Sequence, residues 1–125
     1  MKERLTALWA AIAAQDAGAM RGHFDPDAVV CWHCTNEQFT LEEYIRANCE
    51  YPGQWRGRVE RVEPIPGGAA VCARVWLADG SASFHCAAFY RIVGEKIVRA
   101  DEYWGDDGPA PAWRRDKRIG VPIEA

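Results

Sequence analysis

The sequence predicts an α+β fold in which a curved antiparallel sheet closes against N-terminal helices and leaves one small-molecule pocket. Three observations predict it. Apolar residues recur at helical spacing in the N-terminal part of the chain: Leu5, Leu8, Trp9 and Ile12, then Leu41, Tyr44 and Ile45. From Trp55 onward the chain reads as strands separated by Gly-containing turns. Helices first and a strand meander second is the order of an α+β domain, unlike the alternation of a parallel α/β sheet.

The composition narrows the class. A length of 125 residues is that of one domain. The hydrophobic share of 49%, with six Trp, four Tyr and four Phe, is enough for a core and too high for a disordered chain. The net charge of -3 leaves no basic field for a nucleic-acid backbone. The one basic cluster, Arg114, Arg115, Lys117 and Arg118, is interrupted by Asp116 and reads as a solvated tail or short helix. No apolar run approaches a membrane span, and the N-terminus leads into an amphipathic stretch instead of a signal-peptide core, so a cytoplasmic protein is expected. Five cysteines cannot form a complete set of internal disulfides, and reduced thiols are expected.

The elements follow in order. The Ala-rich N-terminal stretch favours a first helix over residues 2–15. Asp16 can cap a short second helix ending at Met20 or Arg21. Phe24-Asp25-Pro26-Asp27 is predicted to be a turn, and residues 28–34 a strand. Thr40-Leu41-Glu42-Glu43 matches a capping box, in which Thr40 and Glu43 satisfy each other's backbone amides, and Pro52-Gly53 stops the helix it opens. Four strands are predicted over residues 55–65, 69–78, 81–93 and 96–104. The turns between them fall at Pro66-Gly67-Gly68, Asp79-Gly80 and Gly94-Glu95.

Two-residue hairpin loops fix register, and register locates a candidate site. An Asp79-Gly80 loop sets Trp76 opposite Ser83, Arg74 opposite His85 and Cys72 opposite Ala87. A Gly94-Glu95 loop sets Ala87 opposite Glu102 and His85 opposite Trp104. Paired residues share a face, so Arg74, His85 and Glu102 are expected together on one mostly apolar face. A charge on such a face needs a partner because desolvation is costly. The trio reads either as a buried ion pair completing the core or as an acid/base cluster at the base of a cavity. Trp76, Phe89 and Trp104 on the same face, with Trp9 and Tyr44 from the helices, are the expected pocket walls.

The opposite row, Val71, Ala73, Val75, Leu77, Phe84, Cys86 and Ala88, is also apolar and needs a cover. A homodimer packed through that face is the expectation. Cys31-Trp32-His33-Cys34 has the spacing of a redox motif, but it ends a strand, where residues three apart point to opposite faces. With Cys49, His85 and Cys86 it matches no strong zinc pattern, and no metal is expected. No phosphate-binding glycine loop and no Gly-x-Ser-x-Gly elbow is present. Gly105-Asp106-Asp107-Gly108 reads as a solvated turn.

The order of elements, the segment Asp27-Ala28-Val29-Val30-Cys31-Trp32-His33, and above all Gly94-Glu95-Lys96-Ile97-Val98-Arg99-Ala100-Asp101-Glu102-Tyr103-Trp104 resemble the SnoaL-like branch of the nuclear transport factor 2-like superfamily. The resemblance covers roughly residues 5–106. It implies a single domain over 1–125, with its core at about 3–106 and a tail at 107–125. It also implies a cone-shaped, cystatin-like roll around a deep pocket, often as a dimer. Its members include ketosteroid isomerases, polyketide cyclases, dehydratases and limonene epoxide hydrolase, together with non-catalytic binding domains. The epoxide hydrolase has an acid before a Tyr on its last strand, matched by Glu102 before Tyr103, and an Arg on an earlier strand, matched by Arg74. Its second acid, two residues after the Arg, is replaced here by Trp76, which departs from that enzyme's water activation.

The resemblance also suggests that the strand bearing Trp32 and His33 lines the pocket, with His33 favoured to point inward. The leading expectation is a cofactor-independent acid/base enzyme on a small, partly apolar substrate. In it Glu102 is acid or base, His85 its partner, and Arg74 the orienting or anion-holding group. A non-catalytic binding or sensing module with the same pocket is the alternative. Neither nucleic acid nor membrane is expected as a partner.

Overall fold

The computed structural model describes residues 1–124. Three helices come early: α1 (Lys2–Ala14), α2 (Ala17–Arg21) and, after strands β1 (Phe24–Trp32) and β2 (Glu37–Thr40), α3 (Leu41–Cys49). Strands β3 (Trp55–Ile65), β4 (Gly68–Leu77), β5 (Ser83–Val93) and β6 (Lys96–Asp106) follow, and a short α4 (Ala112–Asp116) lies in the tail. Among the described residues no helix is long and apolar enough to cross a membrane.

The local signals act as their chemistry requires. Leu5, Leu8, Trp9 and Ile12 form the buried stripe of α1. The Asp16 carboxylate accepts from the Ala19 amide at 3.1 Å and starts α2. Thr40 and Glu43 make both bonds of the capping box at the head of α3, whose Leu41, Tyr44 and Ile45 are buried.

The sheet has the order β2-β1-β6-β5-β4-β3. It is mixed: β1 runs parallel to β6, and the other neighbours pair antiparallel. Residues 24–27 belong to β1, correcting the predicted turn. Their turn chemistry survives as an irregularity inside the strand, where Asp25 accepts the Asp27 amide at 2.8 Å and the register with β6 shifts between Phe24 and Val29. The strand ends at Trp32; His33–Thr35 is a 3-10 turn, and the short β2 after it was not foreseen.

Both hairpin loops form where expected. Arg74 faces His85 and Trp76 faces Ser83 across β4 and β5. Across β5 and β6 the pairing begins in the expected register, Val93 with Lys96 and Ile92 with Ile97, then slips: Arg91 faces Arg99. Val98 is the extra residue of a β-bulge. From there Cys86, not His85, faces Trp104, and Ala88, not Ala87, faces Glu102. One added residue moves the distal half of β6 to the other side of the sheet relative to the expected pairing. A second bulge places Glu60 outside the β3–β4 register.

The core sits between the helices and one face of the sheet. Val71, Ala73, Val75, Cys86 and Ala88 are buried there with Leu8, Trp9 and Tyr44. The approach is close. A methyl built on Gly57 of β3 would come within 3.2 Å of the Ala13 side chain and 3.3 Å of Val75. The apolar row of β4 and β5 expected to meet a second subunit is therefore the core, covered by the chain's own helices. The reason is the cost of burying charge. That row is free of ionisable groups other than Cys86, whereas the other carries Arg74 and His85.

Candidate functional site

Among the described residues Glu102 is the one charged residue in the buried interior, 1% exposed. It lies opposite Trp32 in the parallel β1–β6 pairing. Its Oε1 accepts the indole N–H of Trp32 and of Trp104, each at 3.0 Å. Its Oε2 has no hydrogen-bond partner among the described residues. Burial pushes the carboxyl up to about 7, against the two indole hydrogen bonds, which favour the charged form. Tyr44, Tyr90 and Cys86 lie near enough for the Glu102 charge to oppose their ionisation, and burial raises all three. The Tyr44 hydroxyl, like Oε2, is buried without a partner.

Beyond the two indoles lies a cavity of about 270 Å³. Trp32 and Trp104 form part of its wall, with Phe84 of β5, Trp55 of β3 and Tyr51 at the loop after α3. Its polar groups include Asn48, Thr35 and Asp106, and its helical side is Ile12, Ala13 and Ala47. The Trp32 and Trp104 rings meet at 6.2 Å and 62°, Phe84 and Trp104 at 6.4 Å and 80°. The arrangement can hold a compact, largely apolar molecule. It places a carboxyl of near-neutral pKa one indole away from that molecule.

The structure separates the predicted trio. Arg74 and His85 are neighbours on the outer face, away from Glu102, because the Val98 bulge reverses the side on which Glu102 falls. Their carboxylate is Asp107. It pairs with His85 Nδ1, accepts the Ser83 hydroxyl at 2.5 Å and lies 3.6 Å from Arg74 Nε. Glu60, displaced by its own bulge, meets His85 Nε2 at 3.2 Å. The Asp107 hydrogen bond is the largest effect raising the His85 pKa. Burial pushes Asp107 up, but Ser83, His85 and Arg74 outweigh it and hold the carboxyl below its ordinary value. The segment read as a solvated turn thus ties strands β4, β5 and β6 together.

Of the expected walls, Trp104 and Trp32 line the cavity, while Trp9 and Tyr44 pack in the core behind it, Trp9 5.8 Å from Trp104. Trp76 and Phe89 lie on the outer face. The Arg74 guanidinium sits 4.7 Å over the Trp76 ring, and Phe89 is 45% exposed. His33 is outside as well. The strand ends before it, and the 3-10 turn sets its ring in a stack on Tyr103 at 4.4 Å, with Nε2 2.8 Å from Asp101. Trp32, one residue earlier, is the inward one. Trp55, Phe84 and Tyr51 also line the cavity, which the sequence pattern did not predict. For Phe84 the signal was present, since it belongs to the charge-free row of β5. The cysteines are free thiols, and among the described residues no group of three or more His, Cys, Asp or Glu is placed to hold a metal.

Comparisons with known proteins bear on the architecture. No protein-family model and no curated protein matches the chain. Solved structures do. A nuclear transport factor 2-like protein of unknown function from Burkholderia xenovorans superposes with a TM-score of 0.76 at 21% identity, over 98% of this chain and 94% of that one. A candidate ketosteroid isomerase from Kribbella flavida also gives 0.76, at 24% identity over 98% and 93%. A candidate SnoaL-like polyketide cyclase from Jannaschia sp. gives 0.68, at 18% identity over 82% and 83%. The helices laid on one face of a six-stranded mixed sheet, and their superposition on these structures over nearly the whole chain, show that this protein has the nuclear transport factor 2-like fold.

Proposed function

We propose that the chain binds a small, partly apolar molecule in the aromatic cavity and acts on it by acid/base chemistry without a cofactor, with Glu102 as the proton-transferring group. The observation that carries this reading is the Glu102 carboxyl itself. It is buried, near neutral in pKa, half engaged by two cavity-wall indoles, and has one oxygen free of partners. A group that is half protonated near neutrality serves equally as acid and base. Isomerisation, cyclisation, dehydration and hydrolysis all fit, and ketosteroid isomerase and polyketide cyclase are among the functions assigned to proteins that share this fold.

Arg74 and His85 are left out of the proposed chemistry, since they lie on the outer face of the sheet beside Asp107. The second reading, a binding module without turnover, is favoured by one feature: Trp32 and Trp104 stand between Glu102 and the cavity. The test is Glu102→Gln, assayed on compounds that raise the melting temperature of the wild-type chain. In the enzyme, a compound consumed by the wild type binds the variant and persists. If no stabilising compound is ever consumed by the wild type, the binding module is the correct reading.

We further propose a homodimer, now through the outer face of the sheet. Phe89 and Tyr103 are each 45% exposed there and meet edge to face at 6.1 Å. A second copy covering both would remove that apolar area from water.

A further inference from the structure

We propose that the aromatic cavity selects a small organic cation, an alkylated ammonium group on a compact apolar body. The inference rests on the reading that the cavity binds a small molecule, and adds the charge of that molecule.

Its walls are rich in π surface. Trp32, Trp104, Phe84, Trp55 and Tyr51 contact one another in series, at 6.2, 6.4, 5.9 and 4.9 Å between ring centroids. Every contact in the series is tilted or edge-on, none a parallel stack. Rings set at angles bound a concave space from several sides, where parallel ones would fill it. The faces of such rings are electron-rich and attract ammonium groups.

The charges agree. Among the described residues no Lys, Arg or His lines the cavity, and its one carboxylate is Asp106 at the exposed rim. Behind two of the rings lies Glu102, accepting both indole N–H groups on one oxygen. In its ionised form Glu102 shifts electron density into the two indoles through these hydrogen bonds and sets negative potential behind the wall. An anionic ligand would meet the Asp106 carboxylate at the rim, with Glu102 behind the rings and no cation to balance it. At about 270 Å³ the cavity lies at the small end of ligand sites, which suits a compact headgroup better than an extended ring system.

The experiment compares choline with 3,3-dimethylbutan-1-ol, which has the same shape and no charge. Binding to the full chain is followed by calorimetry and by tryptophan fluorescence. Choline is expected to bind at least about tenfold more tightly than the neutral isostere, the ratio that a desolvated cation–π contact supplies. Asp106→Asn should weaken choline several-fold and leave the isostere unchanged. Trp104→Leu should weaken both, with the circular dichroism spectrum confirming that the variant is folded. Equal or tighter binding of the neutral isostere overturns the cation selectivity and leaves the small-molecule cavity standing. If neither probe binds, and no neutral apolar compound perturbs the tryptophans, both readings fall.

Discussion

Trp32 faces Glu102 across the β1–β6 pairing and donates its indole N–H to the carboxyl at 3.0 Å. The bond joins the middle of the sheet to the cavity wall, so a change in the protonation state of Glu102 acts on both.

The first consequence is a pH dependence with a definite sign. Glu102 is raised from 4.5 to about 7 on folding, so the folded state holds its proton more tightly than the unfolded chain. Its contribution is fully present below pH 4.5 and is lost as pH rises through 7. The loss is on the order of 3 kcal/mol. Glu102→Gln cannot ionise and removes this dependence. Chemical denaturation between pH 4.5 and 8 should show the wild type losing stability relative to the variant. Parallel curves would mean that the carboxyl is not desolvated as the structure has it.

Tyr44 supplies a contrast between apolar packing and hydroxyl burial. Its ring is core, but its hydroxyl is buried with no partner. Tyr44→Phe deletes only the unsatisfied group and should be neutral or stabilising by up to about 1 kcal/mol. Leu8→Ala, at a fully buried site of the same core, should cost roughly 2–5 kcal/mol. A loss above about 1 kcal/mol in Tyr44→Phe would reveal a hydrogen bond to that hydroxyl, such as an internal water.

The outer-face cluster makes a separate prediction. His85 is raised chiefly by its hydrogen bond to Asp107. A histidine raised on folding stabilises below its ordinary pKa, and that stability disappears as pH rises through the folded value. Asp107→Asn should move the His85 ring titration, read by NMR, back down. The stability change near pH 6 should stay below about 1 kcal/mol, because the pair is partly exposed and screened. An unmoved titration would show that Glu60 alone holds the charge.

Self-association can be checked by light scattering or sedimentation. Phe89→Glu, on the outer face, should give a monomer with an unchanged fold if the sheet is the dimer surface. A dimer that survives this change is held elsewhere.

The amino-acid pattern alone determined much of this architecture, because its signals are short-ranged. A helical stripe such as Leu5, Leu8, Trp9 and Ile12, a capping box at Thr40 and Glu43, and glycine turns at Gly80 and Gly94 act over a few residues and need no tertiary partner. The pairing of Arg74 with His85 followed from the Asp79-Gly80 loop for the same reason. Glu102 was also legible, as a lone carboxylate beside Val98, Ala100 and Trp104 in the last strand.

What only the tertiary structure decided was which groups Glu102 meets. The Val98 bulge, invisible in a two-residue repeat, turned Glu102 away from Arg74 and His85 and toward Trp32 and Trp104. The parallel pairing of β1 with β6 brought Trp32 to it from far along the chain, and the end of β1 threw His33 outward. Bulges and long-range pairings depend on how the whole sheet packs against the helices, a condition that no local window of residues contains.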